Sequence, residues 1–91
     1  MNNKVLVEIV VPTIEKKYDI YLPINKKIGN IINLLCKAIK EINGDDFNYT
    51  NQTSLYNSFS GNKYNPNDIL RKTDIRNGSK LIIMWYNDKD R

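Results

Sequence analysis

Cys36, in the stretch NLLCKAI, is the one thiol of the chain, and the sequence contains no histidine. A cysteine attacks only as its thiolate, and without an imidazole to take the proton this one has no evident base to activate it. Inert packing or a half-exposed place on a helix is the reading its neighbours support. A single cysteine also cannot close an intramolecular disulfide, which agrees with a reducing compartment. Metal sites built from histidine, or from histidine and cysteine together, are excluded by the same composition. Asp45 and Asp46 are adjacent acids in a polar stretch, where neighbouring carboxylates are solvated charge rather than an acid–base pair. Neither GxGxxG nor GxxxxGK occurs, so nucleotide binding finds no support. No catalytic residue, cofactor or metal is expected, and the reading is of a protein that is not an enzyme.

The basic side chains are the next candidates, since the formal net charge is +4. A nucleic-acid interface needs a continuous basic face. Here Lys16-Lys17, Lys26-Lys27, Lys37 with Lys40, and Arg71-Lys72 are separate pairs. They suit solubility and the protection of a sheet edge; nucleic acid is not the expected partner, and a weakly nucleic-acid-binding basic domain stands as an alternative reading. The triplets Asn48-Tyr49-Thr50 and Asn51-Gln52-Thr53 have the glycan-acceptor pattern, but with fourteen asparagines such triplets arise from composition alone.

The elements that must carry these side chains can be read from periodicity. At 91 residues, 41% of them hydrophobic and thirteen of them isoleucine, the chain is expected to be one domain spanning 1–91, with an ordered core over about 4–85 and a polar tail at 86–91. No stretch approaches the ~20 apolar residues of a membrane span, and the opening MNNKVLVEIVV lacks the parts of a signal peptide. A cytoplasmic protein with no direct membrane insertion is expected. KVLVEIVV places Val5, Val7, Ile9 and Val11 on one strand face, and Leu6, Glu8 and Val10 on the other. PTIEKK is a turn, after which Tyr18, Ile20 and Leu22 alternate with Asp19 and Tyr21 in a second strand, so 4–23 reads as a hairpin.

After Pro23 the period changes. Ile28, Ile31, Ile32, Leu35, Ile39 and Ile42 recur at three and four, which predicts an amphipathic helix of about four turns, capped by Asn25 and stopped by Asn43-Gly44. DDFNYTNQT reads as a polar loop. Beyond it come a strand at Leu55-Tyr56, a turn at Ser60-Gly61-Asn62, a short strand, a one-turn segment from Ile69-Leu70, a turn at Ile75 to Gly78, and the closing strand LIIMW.

That order resembles the ubiquitin-like β-grasp fold. LPINKKIGNIINLL is similar to the ubiquitin stretch in which a proline after the second strand precedes the main helix, and LYNSFSGNKYNPNDILRKTDIRNGSKLIIM looks like the second half of a ubiquitin-like domain. The resemblance implies an α+β fold, a mixed four- to five-stranded sheet with one main helix packed across one face. Within the superfamily, the Lys- and Asn-rich chain with KVLVEI at its start and DIRNGSKLIIM near its end is most similar to the bacterial YukD/EsaB group. Members are small cytosolic proteins associated with type VII (WXG100) secretion, and similar domains cap a membrane component of the related actinobacterial system. What this implies is an accessory or regulatory binding module whose partner is a type VII secretion component. The enzyme-linked alternative in the superfamily is a conjugated modifier or sulfur carrier. Those act through a terminal Gly-Gly, whereas Trp85-Tyr86-Asn87-Asp88-Lys89-Asp90-Arg91 stands here.

The ubiquitin-like register sends Leu81 and Ile83 inward with the valine face. Ile82, Met84 and Tyr56 then point outward, joined by Leu6 and Val10. Large apolar residues together on an outer face mark an interface. These five are the expected protein-binding surface, for a partner protein or for a second copy in a homodimer.

Overall fold

The computed structural model describes residues 3–85, so the polar tail expected at 86–91 lies outside the described residues. β1 (Lys4–Val11) and β2 (Lys16–Pro23) pair antiparallel in the expected hairpin, with Val5 opposite Leu22, Val7 opposite Ile20 and Ile9 opposite Tyr18. Pro12 opens the 3-10 turn Pro12–Ile14 with its preset φ, and Glu15, in the left-handed region at φ 54°, donates its N–H to the Pro12 carbonyl at 3.1 Å.

Helix α1 (Ile28–Asn43) buries Ile28, Ile31, Ile32, Leu35, Cys36 and Ile39. Its start corrects the expectation of an Asn25 cap: Lys27 is the N-cap residue, and no side chain bonds there. The first amides find backbone carbonyls from far along the chain. Ile28 N–H donates to Asp68 at 2.8 Å and Gly29 N–H to Pro66 at 2.9 Å, which satisfies donors a helix start otherwise leaves open. A Cβ on residue 29 would lie 3.2 Å from the Pro66 oxygen, so the glycine serves close approach. At the other end Gly44, at φ 58°, donates to the Lys40 carbonyl and stops the helix as expected. Ile42, expected inside, is 65% exposed. Asn43 takes the inward place instead, its amide donating to the Tyr18 hydroxyl at 2.8 Å and to the Ile39 carbonyl at 2.9 Å.

The stretch read as a plain polar loop contains a core residue. After the 3-10 turn Gly44–Asp46, Phe47 is fully buried, edge-on to Trp85 at 4.9 Å and tilted on Tyr49 at 5.5 Å. β3 (Thr53–Asn57) follows, then the 3-10 turn Leu70–Lys72, and β4 (Lys80–Trp85). The short strand expected between them is reduced to single bridges, Tyr56 with Lys63 and Lys27 with Ile69. Pro66 interrupts the ladder there and spends its carbonyl on the helix. Gly78, at φ 86°, donates to the Leu6 carbonyl at 2.8 Å while Asn77 Oδ1 accepts the Leu6 N–H at 2.8 Å, stitching the last turn to β1.

The four strands form one sheet in the order β2-β1-β4-β3, β4 running parallel to β1 and antiparallel to β3. With α1 across one face, this is the β-grasp arrangement. Between helix and sheet lie Val7, Ile9, Val11, Leu55, Leu81 and Ile83, while Leu70 and Ile75 close the side; Val5 and Ile20 pack half-buried at the margin. Every buried side chain among the described residues is apolar or the Cys36 thiol, so each large one contributes its ~1.5–3 kcal/mol of burial without a polar group to satisfy.

A candidate binding face on the sheet

No element of the described chain covers the second face of the sheet. β1 presents Leu6, Glu8 and Val10 there, and the register aligns them with β4: Glu8 faces Lys80 and Val10 faces Ile82. β3 continues the line, Tyr56 opposite Ile82 and Ser54 opposite Met84. Val10, Ile82 and Tyr56 therefore form one row across three strands, half-buried by one another, with Met84 beside it and 44% exposed. Cross-strand neighbours of this kind stand ~4.5–5.5 Å apart at Cβ, which makes the row a continuous apolar strip.

Of the five residues expected to share a surface, the fold brings together these four. Leu6, 38% exposed, stands four residues from Val10 along β1, about 13 Å away. Glu8 lies between them with Lys80 at its side. Leu6 pairs instead with the exposed Tyr21 of β2, over a shallow depression that Lys4, Glu8, Asp19 and Asn77 also line.

Phe59 was not singled out by hydrophobic spacing, yet its side chain is 100% exposed. It sits at the tip of the turn after β3, and a set of hydrogen bonds defines that turn. Asn57 Oδ1 accepts the N–H of Phe59 at 2.8 Å and of Ser60 at 3.0 Å, and Gly61 N–H donates to the Asn57 carbonyl at 2.8 Å. Beneath the turn, the Tyr64 hydroxyl donates to Asp74 at 2.6 Å and receives Asn57 Nδ2 at 3.2 Å. Burial, and then the bond to Asp74, pushes the Tyr64 hydroxyl up to about 12, so it remains a donor. Ser58 N–H bonds the Lys80 carbonyl at 2.9 Å, fixing Phe59 beside the edge of the outer face. The signal was present in the sequence: an aromatic inside NSFSGN, among residues that otherwise all favour a turn.

The remaining candidates do not converge. Cys36 is buried, and burial, partly offset by a hydrogen bond from Thr53, raises its thiol from 9.0 to about 11, which suits packing and not nucleophilic attack. Lys16 and Lys17 lie at the hairpin end of β2, while Lys26 and Lys27 lie beyond its other end. Lys40 is engaged with Asn48 at 3.2 Å and Asp45 at 4.0 Å, and the Arg76 guanidinium is bonded to the Thr73 and Ile75 carbonyls. Among the described residues no group of three acids, cysteines or histidines could hold a metal ion, and no helix is long and apolar enough to cross a membrane.

The sequence matches no family model and no curated protein at a significant level. Solved structures do match. The EccD5 ubiquitin-like domain from Mycobacterium xenopi aligns at a TM-score of 0.75 and 18% identity, over 93% of this chain and 97% of that one. A chain of the MycP5-free ESX-5 inner membrane complex in its State II aligns at 0.76 and 17% identity, over 98% of this chain and 22% of that chain. The ubiquitin of Caldiarchaeum subterraneum aligns at 0.69 and 15% identity, over 92% and 95%. At these identities the likeness is one of fold, and the fold is the ubiquitin-like β-grasp.

Proposed function

We propose that this chain is a non-catalytic, ubiquitin-like protein-binding module of the YukD/EsaB kind, cytoplasmic, which supports type VII secretion by docking to a protein component of the secretion machinery. The observation that carries the reading is the uncovered apolar row Val10, Ile82 and Tyr56, extended by Met84 and, at its edge, Phe59. An apolar strip with an exposed aromatic on a hydrogen-bonded turn at its margin supplies the anchor and the dry centre that tight protein contacts use. The fold likeness to domains of the ESX-5 membrane complex and to EccD ubiquitin-like domains supports secretion as the setting.

The test is co-purification from cells in which the secretion system is assembled. Wild-type protein is expected to retain a secretion component, and Ile82→Asp with Met84→Lys to lose it while keeping a wild-type circular dichroism spectrum. Phe59→Ala is expected to weaken retention at unchanged stability. Wild type that retains no secretion component sinks the reading, and a folded double variant that retains it as before removes the outer face from it.

A further inference from the structure

The two edges of the sheet are finished differently. β3 carries residues 62–64 along its outer side: Asn57 N–H donates to the Asn62 carbonyl and Tyr64 N–H to the Leu55 carbonyl, both at 2.9 Å. No described segment pairs with the outer side of β2. Which of its backbone groups face out follows from the ladder. Ile24 N–H reaches inward to the Asn3 carbonyl, and Glu8 N–H reaches away from β2 to the Ser79 carbonyl. In an antiparallel pair such directions alternate. Tyr18, Ile20 and Leu22 therefore bond to β1, and Lys17, Asp19 and Tyr21 hold their N–H and C=O toward the open edge. Pro23, next in that series, has no N–H to offer.

The side chains at this edge carry a second mark. Asp19 stands directly opposite Glu8 on the outer face, and Glu8 in turn opposite Lys80. Like charges facing one another across strands are unfavourable, and no described cation pairs with Asp19, the one ion pair found among these residues being Lys40 with Asp45.

We propose that β2 pairs edge to edge with β2 of a second copy of this chain, antiparallel about a two-fold axis at Tyr18. Lys17 of each copy then faces Asp19 of the other. In this register Lys17 and Asp19 exchange both backbone hydrogen bonds across the seam, since both direct them outward. The charged row becomes an alternation of lysine, acid, acid, lysine, which relieves the exposed end of the Asp19–Glu8 pair. Neighbouring registers are worse. An axis at Asp19 sets carboxylate against carboxylate, and one at Lys17 sets ammonium against ammonium. An axis at Ile20 places Lys17 against Pro23, which cannot donate. A two-fold axis normal to the sheet keeps both helices on one side and both outer faces on the other, so the partner surface proposed above stays open and is doubled. This inference uses the backbone of the sheet edge and not the apolar row, although Lys17 stands beside Val10 on the same face, and its readout is self-association rather than retention of a secretion component.

Sedimentation equilibrium of the full chain, from tens of micromolar to a millimolar, is expected to show a monomer–dimer equilibrium. Lys17→Asp is expected to weaken it about tenfold or more, because both symmetric contacts turn repulsive. Lys17→Asp with Asp19→Lys is expected to restore it to within about threefold, since the exchange recreates the same pairs reversed. Both side chains are exposed, and circular dichroism checks that each variant is folded. A chain that stays monomeric at the highest concentration overturns the proposal, as does a dimer indifferent to Lys17→Asp, or one that the charge exchange fails to rescue. Amide exchange gives a readout independent of substitution: protection at Lys17 and Asp19 is expected to rise with protein concentration, and constant protection contradicts the seam.

Discussion

The inner and outer faces of the sheet share many of the same aliphatic side chains. Val7, Ile9, Leu81 and Ile83 line the one; Leu6, Val10, Ile82 and Met84 lie on the other, among Glu8, Asp19 and Lys80. For the aliphatic residues taken singly, hydropathy does not tell the faces apart. The helix does, because α1 brings an aliphatic stripe to one face only, and the side chains beneath it lose all contact with water. Burial in this molecule is a property of position relative to α1, and the same residue type is structural on one face and available for contact on the other.

The sharpest break of that comparison exchanges charge between adjacent residues of β4. Leu81→Asp with Ile83→Lys is expected to abolish the cooperative thermal transition, since two charges enter a core with no polar partner. Ile82→Asp with Met84→Lys, displaced by one residue, is expected to leave the melting temperature within a few degrees of wild type. Next in size, Leu35→Ala is expected to cost roughly 2 to 5 kcal/mol in denaturant melts. A loss well below 1 kcal/mol there would place the helix on a different face. Gly29→Ala tests the helix start. Propensity alone favours alanine by ~1 kcal/mol, but the added methyl meets the Pro66 carbonyl that already accepts from residue 29. The expected net sign is destabilising, by about 1 kcal/mol.

An effect confined to alkaline pH comes from Cys36. Its thiol titrates at about 11 in the fold against an ordinary 9.0, so the folded state favours the protonated form. That contribution is complete below pH 9 and is lost as pH rises toward 11. Comparing urea melts of wild type and Cys36→Ala across this window, the wild type is expected to show the steeper decline. Smallest of all, Ile42→Glu is expected to change stability by less than about 0.5 kcal/mol, because the side chain is already in water.

Strand parity and helix period were legible because each follows from one regular geometry. Val7 or Leu81 could be assigned to the core by counting twos, and Ile31 or Leu35 by counting threes and fours. Ile42 obeys the same count and fails. The helix ends where Asn43 turns inward to Tyr18, and periodicity carries no information about where an element stops meeting its neighbour. Phe47 was hidden for the opposite reason. It belongs to no repeat, and besides its neighbour Tyr49 the ring that meets it, Trp85, arrives from β4. The helix cap was misassigned because its acceptors, Pro66 and Asp68, lie about forty residues downstream, beyond any local rule. In the candidate site, the row of Val10, Tyr56 and Ile82 followed from parity. The separation of Leu6 depended on the parallel register of β1 and β4, which no turn sets. Phe59 belongs to neither period, and only the turn-forming residues on both sides of it mark it as an apolar side chain held out at a tip.

β1 and β4 are the first and last strands of the fold, yet they are neighbours at the centre of its sheet, and their stitch from Leu6 to Asn77 spans 71 residues. On a ribosome this ordering imposes a wait. The β1–β2 hairpin and α1 are synthesised early, but the strand that must lie beside β1 is made last, so the nascent chain keeps its apolar faces open until β4 has left the exit tunnel. Folding therefore waits on contacts distant in sequence, and the central pairing of the sheet cannot close before β4 is available. A protease that cut between β3 and β4 would leave the middle of the sheet held only as a contact between two fragments, no longer by one continuous chain.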